Sequence, residues 1–219
     1  ERARRFRRPP RAAALYTDGR PADGRPARTT HMDGIIGEYK EPTDAGPRVT
    51  MVFYPGAFPV KWNQCSVTAD FFAEYFAGVH EAGLVEDTDR RDFVGSVGYV
   101  LNELIENAVK FCAGGTVEVD ACVDEGEFIV VVSNQIVATS VDGLRNRFDE
   151  LLRGDPQELL LQRVEENAAN PELTTSGLGF LTMLSDYRAK LGWRFDAAPD
   201  NPANALLRTT ARLQVNPHG

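Results

Sequence analysis

Leu101-Asn102-Glu103-Leu104-Ile105-Glu106-Asn107-Ala108-Val109-Lys110-Phe111 is the stretch that decides the fold. It lies inside an apolar periodic run from about Asp89 to Cys112. On a helix turning ~100° per residue, Phe93, Val97, Leu101, Leu104, Ile105, Ala108 and Phe111 share one broad face. Glu103, Asn107 and Lys110 stand at i, i+4 and i+7, within about 60° of one another and roughly a quarter-turn from the centre of that face. Periodicity alone fits a surface helix carrying one Glu-to-Lys pairing and an incidental Asn. The same stripe also lines up a carboxylate, an amide and an ammonium at the edge of a buried surface, where a cleft could lie.

Outward from this helix, composition narrows the classes. A chain of 219 residues suits one domain, and 42% hydrophobic residues permit a sizeable core. No run of about eighteen apolar residues occurs, so no membrane span is expected. Cys65, Cys112 and Cys122 are odd in number and show no paired spacing. They read as thiols of a reducing, cytoplasmic setting, not as a disulfide framework or zinc site. His31, His80 and His218 are scattered, with no metal-ligand spacing around them. Residues 1–30 hold nine Arg against Glu1, Asp18 and Asp23, while the whole chain carries −8. The remainder is therefore strongly acidic, which argues against broad nucleic-acid binding. Residues 1–45 read as a disordered basic tail, translated in part from upstream of a natural start near Met32, and 46–216 as the globular domain.

Along the chain, Arg48 to Tyr54 has strand composition and stops at Pro55-Gly56. Ser66 or Thr68 is placed to cap a helix running to about Glu81, with Phe71, Phe72, Tyr75, Phe76 and Val79 as its core face. His80-Glu81 is followed at once by Ala82-Gly83, so it reads as an ordinary helix end and not as a phosphoacceptor site. After the Glu103 helix, Gly114-Gly115 is a stop. Strands from Thr116 to Val123 and Glu127 to Val132 follow, joined by Asp124-Glu125-Gly126 as a hairpin turn. Two helical patterns split by Gly154-Asp155-Pro156 occupy 139–170. Thr174-Thr175-Ser176-Gly177-Leu178-Gly179-Phe180 opens another helix, read through Leu181, Leu184, Tyr187 and Leu191. Its glycines would let backbone amides approach a phosphate at a helix N-terminus, although a Gly-x-Gly turn also serves simply as helix entry. Two closing strands, around Gly192–Phe195 and Leu206–Val215, end the pattern. The expected architecture is a two-layer α/β sandwich, with a mixed, mostly antiparallel sheet and helices on one face.

Glu103-Leu104-x-x-Asn107-Ala108-x-Lys110 resembles the N box of the GHKL (histidine-kinase-like) ATPase superfamily. The Thr174–Phe180 segment resembles its second glycine box, with Thr175 where the first glycine usually stands. The run Ser176 to Tyr187, with Leu191-Gly192-Trp193, is similar to the bacterial SiaB-type partner-switching kinases and regulators. The resemblance implies the GHKL (Bergerat) fold and an ATP-dependent serine/threonine kinase. It also implies a STAS-like protein substrate and a metal-dependent serine/threonine phosphatase acting in opposition, and it admits a homodimer. Glu103 would orient or deprotonate the acceptor hydroxyl. Asn107 would hold Mg²⁺, Lys110 would contact phosphate, and Thr175, Ser176, Gly177 and Gly179 would cradle the phosphates of ATP. Asn134 stands where the family carries the Asp that binds adenine, and the glycines that should follow it are absent. An Asn amide offers both donor and acceptor. The departure keeps a second reading open, that of a non-catalytic regulatory module whose pocket binds a nucleotide or another planar ligand.

Overall fold

The computed structural model describes residues 34–55, 62–80, 87–169 and 178–214, all within the unit His31–Gly219. The chain runs β1 (Gly34–Gly37), β2 (Arg48–Phe53), α1 (Trp62–His80), α2 (Asp87–Lys110), β3 (Gly114–Asp124) and β4 (Glu127–Val137). It continues with α3 (Val141–Arg153), α4 (Pro156–Ala169), α5 (Leu178–Ser185), β5 (Lys190–Ala197) and β6 (Asn204–Gln214). The strands form one sheet in the order β1-β5-β6-β4-β3-β2. The expected α/β sandwich is present. The sheet differs from the expected mixed one in that every described pairing is antiparallel.

Alternation along the strands explains the two layers. Val117, Val119, Ala121 and Val123 of β3 pair with Asn134, Val132, Val130 and Phe128 of β4, which pair in turn with Leu207, Thr209, Ala211 and Leu213 of β6. Successive side chains point to opposite faces, so this register collects one apolar surface. The β3–β4 turn uses Glu125 at φ 49° and Gly126 at φ 77°, the positive pair that a two-residue hairpin of type I′ demands. Helix α2 covers the centre of that surface with Phe93, Val97, Leu101, Leu104 and Ile105 buried. Phe72 and Phe76 of α1 are buried beside it, with the Phe76 ring edge-on to Phe128 at 5.2 Å. At the other flank Phe148 of α3 stacks on Trp193 of β5 at 4.2 Å, and α4 packs on α5.

Several expectations need correction. The body begins before residue 46: Gly34–Gly37 is a strand paired with β5, too short and too glycine-flanked to announce itself. Residues 1–33 of the expected tail lie outside the described residues. Helix α1 starts at Trp62, and the Thr68 hydroxyl donates to the Gln64 carbonyl one turn back instead of capping. Of its supposed core face, Phe71, Tyr75 and Val79 are 48%, 41% and 40% exposed. Phe111, just past the end of α2, is likewise exposed. Helix α5 ends at Ser185 and does not reach Leu191, because Arg188 takes a left-handed φ of 50° and Leu191 belongs to β5.

The connection from β1 to β2 links opposite edges of the sheet. Five strand spacings amount to about 24 Å, and the ten residues 38–47 can reach roughly 33–36 Å when extended. Glu38 N–H donates to the Leu191 carbonyl at 2.8 Å, and Thr210 Oγ1 donates to the Lys40 carbonyl at 2.9 Å. Thr43 Oγ1 donates to Asp124 at 2.9 Å, and Val123 N–H to the Pro47 carbonyl at 3.2 Å. The segment thus crosses the face that carries no helix. Beneath it, burial alone would raise the Glu127 carboxyl, but Arg212, Lys190 and Lys40 together hold it below the usual range.

Candidate functional site

Glu103 and Asn107 lie one turn apart on α2, both half-buried at the rim of its apolar face. Lys110 closes the helix, exposed, with its ammonium 5.2 Å from the Phe111 ring centroid. The stripe expected from the sequence is therefore present, with its burial falling from Glu103 towards Lys110.

The structure brings one glycine-box residue to that stripe. Gly179, the second residue of α5, lies so close to Glu103 that a Cβ there would overlap Oε2 and stand 2.8 Å from Cδ. Glycine is needed here for close approach and not for backbone conformation. Burial, with the charge of Glu106 in second place, raises the Glu103 pKa above the ordinary carboxylate value. Taking a carboxylate partly out of water disfavours its charged form, and a second carboxylate nearby does the same. Thr175, Ser176 and Gly177 lie outside the described residues.

The fit of α5 against α2 continues one turn away, through residues that the sequence reading did not single out. Tyr99 precedes Glu103 by four positions, bonds the Thr182 side chain and stacks on Tyr187 at 4.8 Å and 19°. Burial raises its phenol pKa. The i−4 spacing from Glu103 was a readable signal for Tyr99. Tyr187 was masked by its assignment to a longer helix.

Asn134 is 3% exposed and lies within β4, between Val117 and Leu207 on the helix-covered face. It is not at the strand's end, as the sequence suggested. Its Nδ2 reaches the Gln135 carbonyl at 3.4 Å, a long bond to an oxygen that already accepts from Ala113 N–H at 2.7 Å. A buried amide with so weak a bond retains capacity for a polar ligand. Beside it, Asn204 Nδ2 donates to Gln135 Oε1 at 2.9 Å, so a small cluster of amides marks the start of β6. The two helical patterns expected over 139–170 are present as α3 and α4. Asp155 Oδ1 accepts from the Gln157 and Glu158 amides and starts α4.

Among the described residues no cluster of three or more His, Cys, Asp or Glu could hold a metal by side chains alone. No described helix is long and apolar enough to cross a membrane. Cys65 and Cys122 are buried and Cys112 half-buried, all as free thiols.

The chain matches no protein-family model and no curated protein. Among solved structures it is similar to a chain of the crystal structure of the SiaB–SiaC complex from Pseudomonas aeruginosa. The identity is 17% and the TM-score 0.49, over 74% of this chain and 89% of that one.

Proposed function

We propose that this chain is an ATP- and Mg²⁺-dependent serine/threonine protein kinase of a partner-switching system, acting on a small STAS-like protein that a metal-dependent phosphatase returns to its unmodified state. The observation that supports this most is the approach of the Glu103 carboxylate to Gly179. It joins the helix bearing the N-box residues to the first turn of the helix that the glycine box opens.

The residues present fit a bound nucleotide. The missing Cβ at position 179 admits the Glu103 carboxylate to the first turn of α5, whose N-terminal amides favour anionic oxygens, those of phosphate included. Asn107 offers an amide oxygen, a ligand type that suits Mg²⁺, and Lys110 one charge for phosphate. Asn134 offers donor and acceptor to the edge of a base. ATP with its metal supplies the γ-phosphoryl group and neutralises its charge. Glu103 orients the acceptor hydroxyl and takes its proton as the oxygen bonds to phosphorus and ADP leaves. Its raised pKa makes it a stronger base than an exposed carboxylate. Positioning and charge neutralisation dominate phosphoryl transfer, so this short list of groups is sufficient.

The test uses radiolabelled ATP and a co-encoded STAS-like protein. Glu103→Gln should keep Mg²⁺-ATP affinity within a few-fold and cut transfer by about 10²–10⁴. Asn107→Ala should instead damage metal-dependent binding itself. A wild-type chain that binds nucleotide yet transfers no phosphate to a folded partner would overturn the kinase reading. It would favour the non-catalytic module, to which the neutral, buried Asn134 is also suited.

A further inference from the structure

Four large apolar residues of α1 stand in solvent at intervals of four: Val67 is 65% exposed, Phe71 48%, Tyr75 41% and Val79 40%. The opposite side of the same helix is core, with Cys65, Ala69, Phe72, Ala73, Phe76 and Ala77 buried. The exposed set is therefore not a frayed end or a scatter of single residues. It forms one continuous ridge of the i±4 kind by which helices pack on one another. The Phe71 and Tyr75 rings already touch along it, with centroids 6.1 Å apart. Gly78 lies on the same side, and a Cβ there would meet nothing within 4 Å. A mid-helix glycine costs about 1 kcal/mol relative to Ala, and no contact within the described chain explains it.

We infer that this face of α1 pairs with α1 of a second copy, antiparallel about a two-fold axis level with Ala73. That register alone brings all four residues into contact across the two-fold. Val67 of one copy meets Val79 of the other, Phe71 meets Tyr75, and both contacts recur by symmetry, as an isologous interface requires. Gly78 falls opposite Thr68, where the missing side chain lets the backbones approach. The charged flank is compatible. Glu74 is bonded to Arg90 at 2.6 Å, so what the two-fold brings beside its own copy is a neutralised pair and not a bare carboxylate. Area sets the strength. A buried aromatic removes 150–250 Å² from water, so two half-exposed rings with two valines and their polar flank come to roughly 500–600 Å² per copy. Two copies sum to about the lower bound of specific interfaces, the size class of weak, reversible contacts. The inference does not rest on the proposed activity, because the Glu103–Gly179 site faces α5 and not α1.

Sedimentation equilibrium of the full chain from about 1 to 500 µM tests it. The expected result is a monomer–dimer equilibrium that Phe71→Glu or Tyr75→Glu weakens at least tenfold, with unchanged circular dichroism. Leu161→Glu, at an exposed apolar site on α4, should leave it unaltered. Orientation is read by mild oxidation. The pair Val67→Cys with Val79→Cys should crosslink two copies. Val67→Cys alone should not, since the two Val67 positions would lie roughly 18 Å apart along the helices. A chain that stays monomeric at 500 µM overturns the proposal, as does a dimer indifferent to Phe71→Glu. Efficient self-crosslinking of Val67→Cys alone would overturn the antiparallel register.

Discussion

Gly179→Ala is the sharpest probe of the contact between α2 and α5. The added Cβ would overlap Glu103 Oε2 and stand 2.8 Å from Cδ and 3.4 Å from Cγ, so the whole carboxylate arm must swing aside. Those atoms end a flexible side chain, so the cost is that of a poorer rotamer, about 0.5–1.5 kcal/mol. Against it stands the better helix propensity of Ala, about 1 kcal/mol. The single variant should therefore fall within about 0.5 kcal/mol of wild-type stability. In a Glu103→Ala background nothing obstructs the methyl group, and the same change should stabilise by about 1 kcal/mol. The double-mutant cycle thus predicts a coupling of about 0.5–1.5 kcal/mol, measurable by urea denaturation of the four proteins. Equal effects of Gly179→Ala in both backgrounds would refute the contact, and with it the main geometric support for the proposed site.

Three further outcomes follow from the same residues. The Glu103 pKa is raised on folding, so its contribution favours the native state below the unfolded carboxyl value and is lost as pH rises through the folded one. Glu103→Gln should accordingly raise Tm at pH 7, with the gain shrinking on acidification; a gain independent of pH would contradict the assignment. Mg²⁺-ATP at a hundredfold excess over its Kd should stabilise by about 2.7 kcal/mol, a Tm rise of roughly 5–10 °C for a domain of this size. No shift with any nucleotide at millimolar concentration would count against the nucleotide site. Deleting residues 1–31 should leave Tm nearly unchanged, and a loss of several degrees would show that the basic segment packs on the body.

The legible parts of the chain were those with local cause. The period of Leu101–Lys110, the Glu125-Gly126 turn and the Gly154-Asp155-Pro156 break each act within a few residues, and each stands where it was expected. What was misread depended on contacts distant in sequence. Gly34–Gly37 is a strand only because β5 lies beside it, some 160 residues on. Phe71 and Tyr75 carry the same composition as Phe72 and Phe76, and only the direction from which the sheet approaches separates core from surface. At the site, Glu103, Asn107 and Gly179 were marked by pattern. Tyr99 and Thr182 needed the second helix in place before their bond could be seen.

The crossing from β1 to β2 has a consequence for synthesis. β1 is among the earliest described segments to leave the ribosome, yet its strand partner among the described residues, β5, ends at Ala197, about 160 residues after Gly37. At 5–20 residues per second the edge strand waits roughly 8–30 s for that partner. Once β4 has emerged, Ile129 and Val131, on the face away from the helices, wait through roughly 65 further residues of synthesis before β5 is complete. The nascent chain therefore holds an open sheet face until its last hairpin arrives, and that interval is when a holding chaperone would matter most.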